Sequence, residues 1–145
     1  MRYKLEKPVL GTIARKKYKC VIEWRNGTFI TDEPESVGGE DAGPDPFTLL
    51  LASIASCKLI TLRMYIDKKG WNIDKFAINV NLYQETIGET KNAVIDCDII
   101  FLCHVSVEQK MRMLEIAHSC PISKVLEGDV KVRVFSSENP TTLNR

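Results

Sequence analysis

The chain has 145 residues, 44% of them hydrophobic and 27% charged, with 20 Lys and Arg against 19 Asp and Glu for a formal charge of +1. That balance suits a single globular domain over 1–145 with a real core, and excludes intrinsic disorder or a fibrous repeat as the main state. So even a charge supplies no global field for nucleic acid or an anionic membrane surface, and neither is expected as a partner.

The first stretch reads as strands. Tyr18, Cys20, Ile22 and Trp24 alternate with Lys17, Lys19 and Glu23, a period-2 pattern with one wet face. Arg25-Asn26-Gly27 is expected to turn the chain through positive φ, and Thr28-Phe29-Ile30 begins the return strand. Residues 31–46 form a loop rich in turn residues and acids, either functional or a surface excursion.

Pro46 to Lys69 is the longest predicted helix. Asp45 is the N-cap, Pro46 fits the first helical position, and Gly70 stops the helix. Its first half is apolar nearly all round, from Phe47 to Ile60, so it is expected to be wrapped by sheet or by a partner subunit. Two alternating strands follow, Phe76 to Leu82 and Ile95 to Phe101, with a turn over 86–92. Ser106-Val107-Glu108-Gln109 is a capping-box pattern that opens a helix to about His118. Cys120-Pro121 begins a short helix that Gly128 ends, Val130, Val132 and Val134 suggest a last strand, and residues after Ser136 read as a loose tail. The order predicts an α+β fold.

The polar start, Met1-Arg2-Tyr3-Lys4, is not a signal peptide, and the most apolar run, Leu49 to Cys57, is shorter than the roughly 20 residues of a membrane span. A cytoplasmic protein is expected. Five cysteines, an odd count, argue against a secreted disulfide framework. Cys57 lies inside the apolar helix. It is either a small core residue or a thiol shielded within a pocket. Cys120 stands at a helix start, where unsatisfied N–H groups favour a thiolate; a purely structural cap is the alternative. Cys20, Cys97 and Cys103 read as core residues. The spacing of Cys103, His104, His118 and Cys120 matches no closed zinc pattern, and no phosphate loop or cofactor motif is present, so no metal or cofactor is expected.

Two segments carry a resemblance. Gly43-Pro44-Asp45-Pro46-Phe47-Thr48-Leu49-Leu50-Leu51-Ala52-Ser53-Ile54-Ala55-Ser56-Cys57 resembles the first-cysteine segment of the osmotically inducible protein C and organic hydroperoxide resistance (OsmC-like) family. Thr61-Leu62-Arg63-Met64-Tyr65 and Lys69-Gly70-Trp71 extend it. Leu114-Glu115-Ile116-Ala117-His118-Ser119-Cys120-Pro121-Ile122 is similar to the second-cysteine segment, and the match spans about residues 18 to 135. The resemblance implies an intertwined α+β homodimer with long central helices wrapped by antiparallel sheets. It implies a thiol peroxidase that reduces organic hydroperoxides, with Cys57 peroxidatic, Cys120 resolving, a disulfide between them, and a dithiol reductant such as a lipoyl group. The family arginine maps to Arg25, where it would favour the thiolate. The family glutamate is missing, because Phe47 or Thr48 stands at its place.

Rival readings follow from that departure. One is a non-catalytic dimer of this fold that binds a hydrophobic ligand. Another is a redox sensor whose disulfide forms without turnover.

Overall fold

A computed structural model describes residues 3–136. The chain forms two compact units, Met1–Leu49 with Lys131–Arg145, and Leu50–Val130. Among the described residues the elements are β1 (Leu10–Ile13), β2 (Cys20–Trp24), β3 (Gly27–Thr31), a 3-10 turn at Glu35–Val37, α1 (Pro46–Lys69), β4 (Phe76–Ile87), β5 (Thr90–Phe101), α2 (Val107–His118) and α3 (Pro121–Glu127). This is the expected α+β class.

The first unit holds a three-stranded antiparallel meander, β1-β2-β3. The β2–β3 register pairs Trp24 with Gly27, so Arg25 and Asn26 alone make the turn. Neither Asn26 nor Gly27 adopts the positive φ expected of them. Large apolar side chains stay exposed on this sheet, including Leu10, Ile13, Val21, Trp24, Phe29 and Ile30.

The loop after β3 is built around one carboxylate. Asp32 is 2% exposed. Its Oδ1 accepts from the N–H groups of Tyr18 (3.2 Å) and Glu33 (2.8 Å), and its Oδ2 from those of Glu40 (3.1 Å) and Ala42 (3.2 Å). Burial alone would push this carboxyl up, but the four N–H donors together hold it below its ordinary value. The loop closes so tightly that a Cβ at Gly39 would collide with the Glu33 carbonyl, and one at Gly43 with the Ile30 carbonyl.

Helix α1 starts and stops where its sequence dictates. Asp45 accepts from the Thr48 N–H (3.1 Å) and from the Thr48 hydroxyl (2.6 Å), which fixes it as the N-cap. Gly70, at φ 65, ends the helix with a Schellman pair: Gly70 N–H to Asp67 C=O (3.1 Å) and Trp71 N–H to Ile66 C=O (3.2 Å). Within one chain, however, α1 is not covered on every side. A stripe of Ile54, Lys58, Leu62 and Ile66 is buried, while Phe47, Ile60 and Met64 stay 61%, 52% and 68% exposed. The spacing of four keeps the buried stripe on one face, and Ile60 and Met64 fall on the opposite one. By length and composition α1 is apolar enough to cross a membrane, with mean hydropathy 1.6 over its most apolar 18 residues. The nine-residue apolar run alone understates that.

The second unit packs α1 with the β4–β5 hairpin, α2 and α3. The hairpin strands are longer than expected, and the turn shrinks to Gly88-Glu89 because Gly88 takes φ 64 at the first turn position. The capping box of α2 forms as predicted. Ser106 Oγ accepts from Gln109 N–H (3.1 Å) and Gln109 Oε1 from Ser106 N–H (3.0 Å). The core comprises Leu62, Ile66, Ile73, Val105, Met113 and Ala117. Arg63 pins the α1–β4 connection by donating to the carbonyls of Ile73 (2.9 Å) and Asp74 (3.0 Å).

One expected element is absent. Val130, Val132 and Val134 form no strand, and the last two are 85% and 90% exposed. A strand exists only through a ladder partner, and the described residues of this chain offer it none. The predicted tail lies outside the described residues.

The loop geometry yields a direct expectation. Gly39→Ala drives a methyl group into the Glu33 backbone and should destabilise the protein by about 1–3 kcal/mol. A denaturant titration unchanged from wild type would show that the loop can relax away from Glu33.

Candidate active site

Three elements of the second unit bring the two marked cysteines together. Helix α1 carries Cys57 midway along its length, half-buried. Cys120 is the N-cap of α3, immediately before Pro121, and is fully buried. Ser119 links it to α2, its N–H closing on the Ile116 carbonyl at 2.9 Å. The Cys120 carbonyl is held in turn by the Lys124 N–H at 3.2 Å. The two thiols are near enough that each shifts the other's titration.

The two thiols are electrostatically unequal. Burial pushes Cys57 up, and donation to Cys120 pushes it further; the Ile122 N–H and the Thr61 hydroxyl oppose this only in part. Burial would raise Cys120 as well. There the Cys57 thiol, the Ser123 N–H and hydroxyl, and the Ile122 N–H outweigh burial and bring it below its ordinary value. Cys120 makes no formal cap hydrogen bond, so the amides act through their field. The first proton to leave the pair leaves its charge on Cys120.

Lys58 follows Cys57 on α1 and is buried, although a lysine ordinarily reads as solvated. It is 7% exposed and its Nζ donates to the Ala117 carbonyl at 2.8 Å. Its charge bears on Cys97, where it opposes the upward push of burial. Lys58 and Cys97 line a cavity of about 420 Å³ with Ile54, Ile95, Ser123 and Leu126. Cys97 was read as a plain core residue, and it is half-buried at this cavity. The clue available in the sequence was the position of Lys58, in register with Ile54, Leu62 and Ile66.

Arg25 belongs to the first unit. It is exposed on the β2–β3 turn, with its guanidinium 5.7 Å from the Trp24 ring centre. Phe47, which with Thr48 is one of the two residues expected where the family carries glutamate, is 61% exposed in the first turn of α1. Among the described residues no group of three or more His, Cys, Asp or Glu is arranged to hold a metal ion.

Residues 38–135 match the family model of the OsmC-like protein. The chain belongs to the OsmC-like family. No curated protein matches it in sequence. Solved OsmC-like structures share its fold at low identity. A Psychrobacter arcticus protein named for an osmotic stress induced and detoxification response has a TM-score of 0.69 at 18% identity, over 86% of this chain and 90% of that one. An organic hydroperoxide resistance protein OsmC from Legionella pneumophila gives 0.62 at 17%, over 86% and 93%. The organic hydroperoxide resistance protein OhrB of Bacillus subtilis gives 0.58 at 21%, over 87% and 93%. The OsmC-like match covers both cysteine segments and the loop from Gly38 onward, but not Arg25.

The unequal titration of the two thiols gives this OsmC-like pair a measurable signature. Thiolate absorbance should rise in a first step below the ordinary thiol range, and Cys57→Ala, which removes the donor, should move that step to higher pH. A first step that stays in place in Cys57→Ala would mean that Cys57 does not stabilise the Cys120 charge.

Proposed function

We propose that this protein is a thiol peroxidase that reduces organic hydroperoxides through a Cys57–Cys120 disulfide. The observation that supports the reading is that the α1 and α3 thiols neighbour one another and titrate unequally, Cys57 upward and Cys120 downward. The Cys57 sulfur attacks the outer peroxide oxygen and the O–O bond breaks. The Cys120 thiolate takes the Cys57 proton as that attack begins, which turns the higher-pKa thiol into the nucleophile. Cys120 passes that proton to the departing alkoxide, so the organic oxygen leaves as an alcohol and Cys57 becomes a sulfenic acid. The Cys120 thiolate then attacks the Cys57 sulfur and closes the disulfide, and the hydroxide expelled takes a proton from solvent and leaves as water. A dithiol reductant, of which a lipoyl group is one class, restores both thiols. Arg25 is the proposed cation that favours the thiolate and orients the peroxide. No metal or cofactor takes part in this scheme.

Single-turnover chemistry separates the roles. After one equivalent of cumene hydroperoxide, Cys57→Ser should consume no peroxide, while Cys120→Ser should consume it and accumulate sulfenic acid or over-oxidised species at Cys57 by mass spectrometry. Sulfenic acid on Cys120 in the Cys57→Ser protein, with none on Cys57 in the reverse variant, would exchange the assignments. Disulfide formation without sustained peroxide consumption would favour the redox-sensor reading.

The proposed assembly is a cytoplasmic homodimer. Phe47, Ile60 and Met64 on α1 and the open faces of the β1–β3 sheet support it, since contiguous apolar patches beyond a few hundred Å² are rare on soluble monomers. Sedimentation should give twice the chain mass down to concentrations where the fold itself is lost. A folded monomer would sink the assembly.

A further inference from the structure

Lys58 is the only buried lysine among the described residues. Burying an ammonium is costly unless its donors are matched. No carboxylate of the described residues lies in ion-pair range of it; the partner it does have is a backbone carbonyl, that of Ala117. Ala117 is in the last turn of α2, where carbonyls lack intrahelical partners and the helix end is negative, so a cation is well matched there. Lys58 thus fastens α1 to the C-terminal end of α2 from a buried position.

That end is also the approach to Cys120. From Ala117 the chain runs through His118 and Ser119 to Cys120, with Ser119 N–H fixed on Ile116 and the Cys120 carbonyl fixed by Lys124. Two consecutive residues of α1 therefore reach one corner of the fold: Cys57 by its sulfur and Lys58 by its charge. In the proposed reaction the sulfur contact is made and unmade, whereas the Lys58–Ala117 contact involves no sulfur.

We propose that Lys58 is a positioning residue of the dithiol: its ammonium, bonded to the Ala117 carbonyl, holds the α2–α3 corner against α1 so that Cys120 stays opposite Cys57 in both the reduced and the oxidised protein. The proposal rests on the dithiol reading above and deepens it. Its physical content is preorganisation. A fixed corner raises the effective concentration of one thiol at the other and so favours the disulfide.

The test is a redox titration of the full chain against glutathione, with both cysteines read by alkylation and mass spectrometry. Lys58→Met keeps length and apolar volume and removes the charge. It should lower the equilibrium constant for the Cys57–Cys120 disulfide by about tenfold, equivalent to about 30 mV. Arg63→Met is the structural control, because Arg63 is also a cation that bonds backbone carbonyls from α1, but at Ile73 and Asp74. It should lower the melting temperature and leave the equilibrium constant unchanged. If Lys58→Met does not fold, Lys58→Gln retains a neutral donor and should shift the constant in the same direction by less. An unchanged constant in a folded Lys58 variant, or an equal shift in Arg63→Met, would overturn the proposal. Absence of any Cys57–Cys120 disulfide in the wild type would overturn the dithiol reading itself, and the positioning role with it.

Discussion

One seam on α1 determines the second unit. Ile54, Lys58, Leu62 and Ile66 recur at every fourth residue, and all four are buried. Leu62 and Ile66 lock against Met113 and Ala117, which sets α2 on α1. Once α2 is set, its C-terminal end is set, and Cys120 follows within one turn of chain. The apolar packing and the thiol geometry are therefore one structure. A cavity opened at Met113 or Leu62, which ordinarily costs about 2–5 kcal/mol, would be felt at the sulfurs as well as in stability.

The two cysteines differ because their backbone surroundings differ. In the middle of a helix every amide is already committed to a carbonyl, so Cys57 gains little from the backbone while burial penalises its charge. At the start of α3 the amides of Ile122 and Ser123 have no intrahelical acceptor, and their field falls on Cys120. A thiol that holds charge well is a poor attacker for its concentration, and one that holds it badly is strong once deprotonated. The pair separates those properties between two residues.

Legibility in the sequence followed locality. The bounds of α1 are written in Asp45-Pro46 and Lys69-Gly70, and the α2 start in Ser106 and Gln109, because caps are decided by residues a turn apart. Cys120 as the N-cap of α3 was equally plain. Which face of α1 would be buried was not, since its first half is apolar all round and only the tertiary partners choose a side. Lys58 escaped for that reason: a lysine reads as solvated unless the stripe it belongs to is known. Strand β1 escaped because Leu10-Gly11-Thr12-Ile13 is too short to show a period, and the strand at Val130 to Val134 was wrongly expected because alternation specifies a strand face but not a partner. The meeting of Cys57 and Cys120 was legible only through resemblance, for no local rule spans that separation.

The loop of the first unit joins on a single atom group, and that has a thermodynamic consequence. Four segments of backbone, at Tyr18, Glu33, Glu40 and Ala42, depend on the ionised form of Asp32. Their order is therefore cooperative rather than additive. Because the carboxyl is held below its ordinary value, the bonus from its charge is complete above the ordinary carboxylate range and is withdrawn as pH falls through the lowered one. One proton removes the charge that all four N–H groups share, so acid loosens the loop around Asp32 at all its contacts rather than at one end.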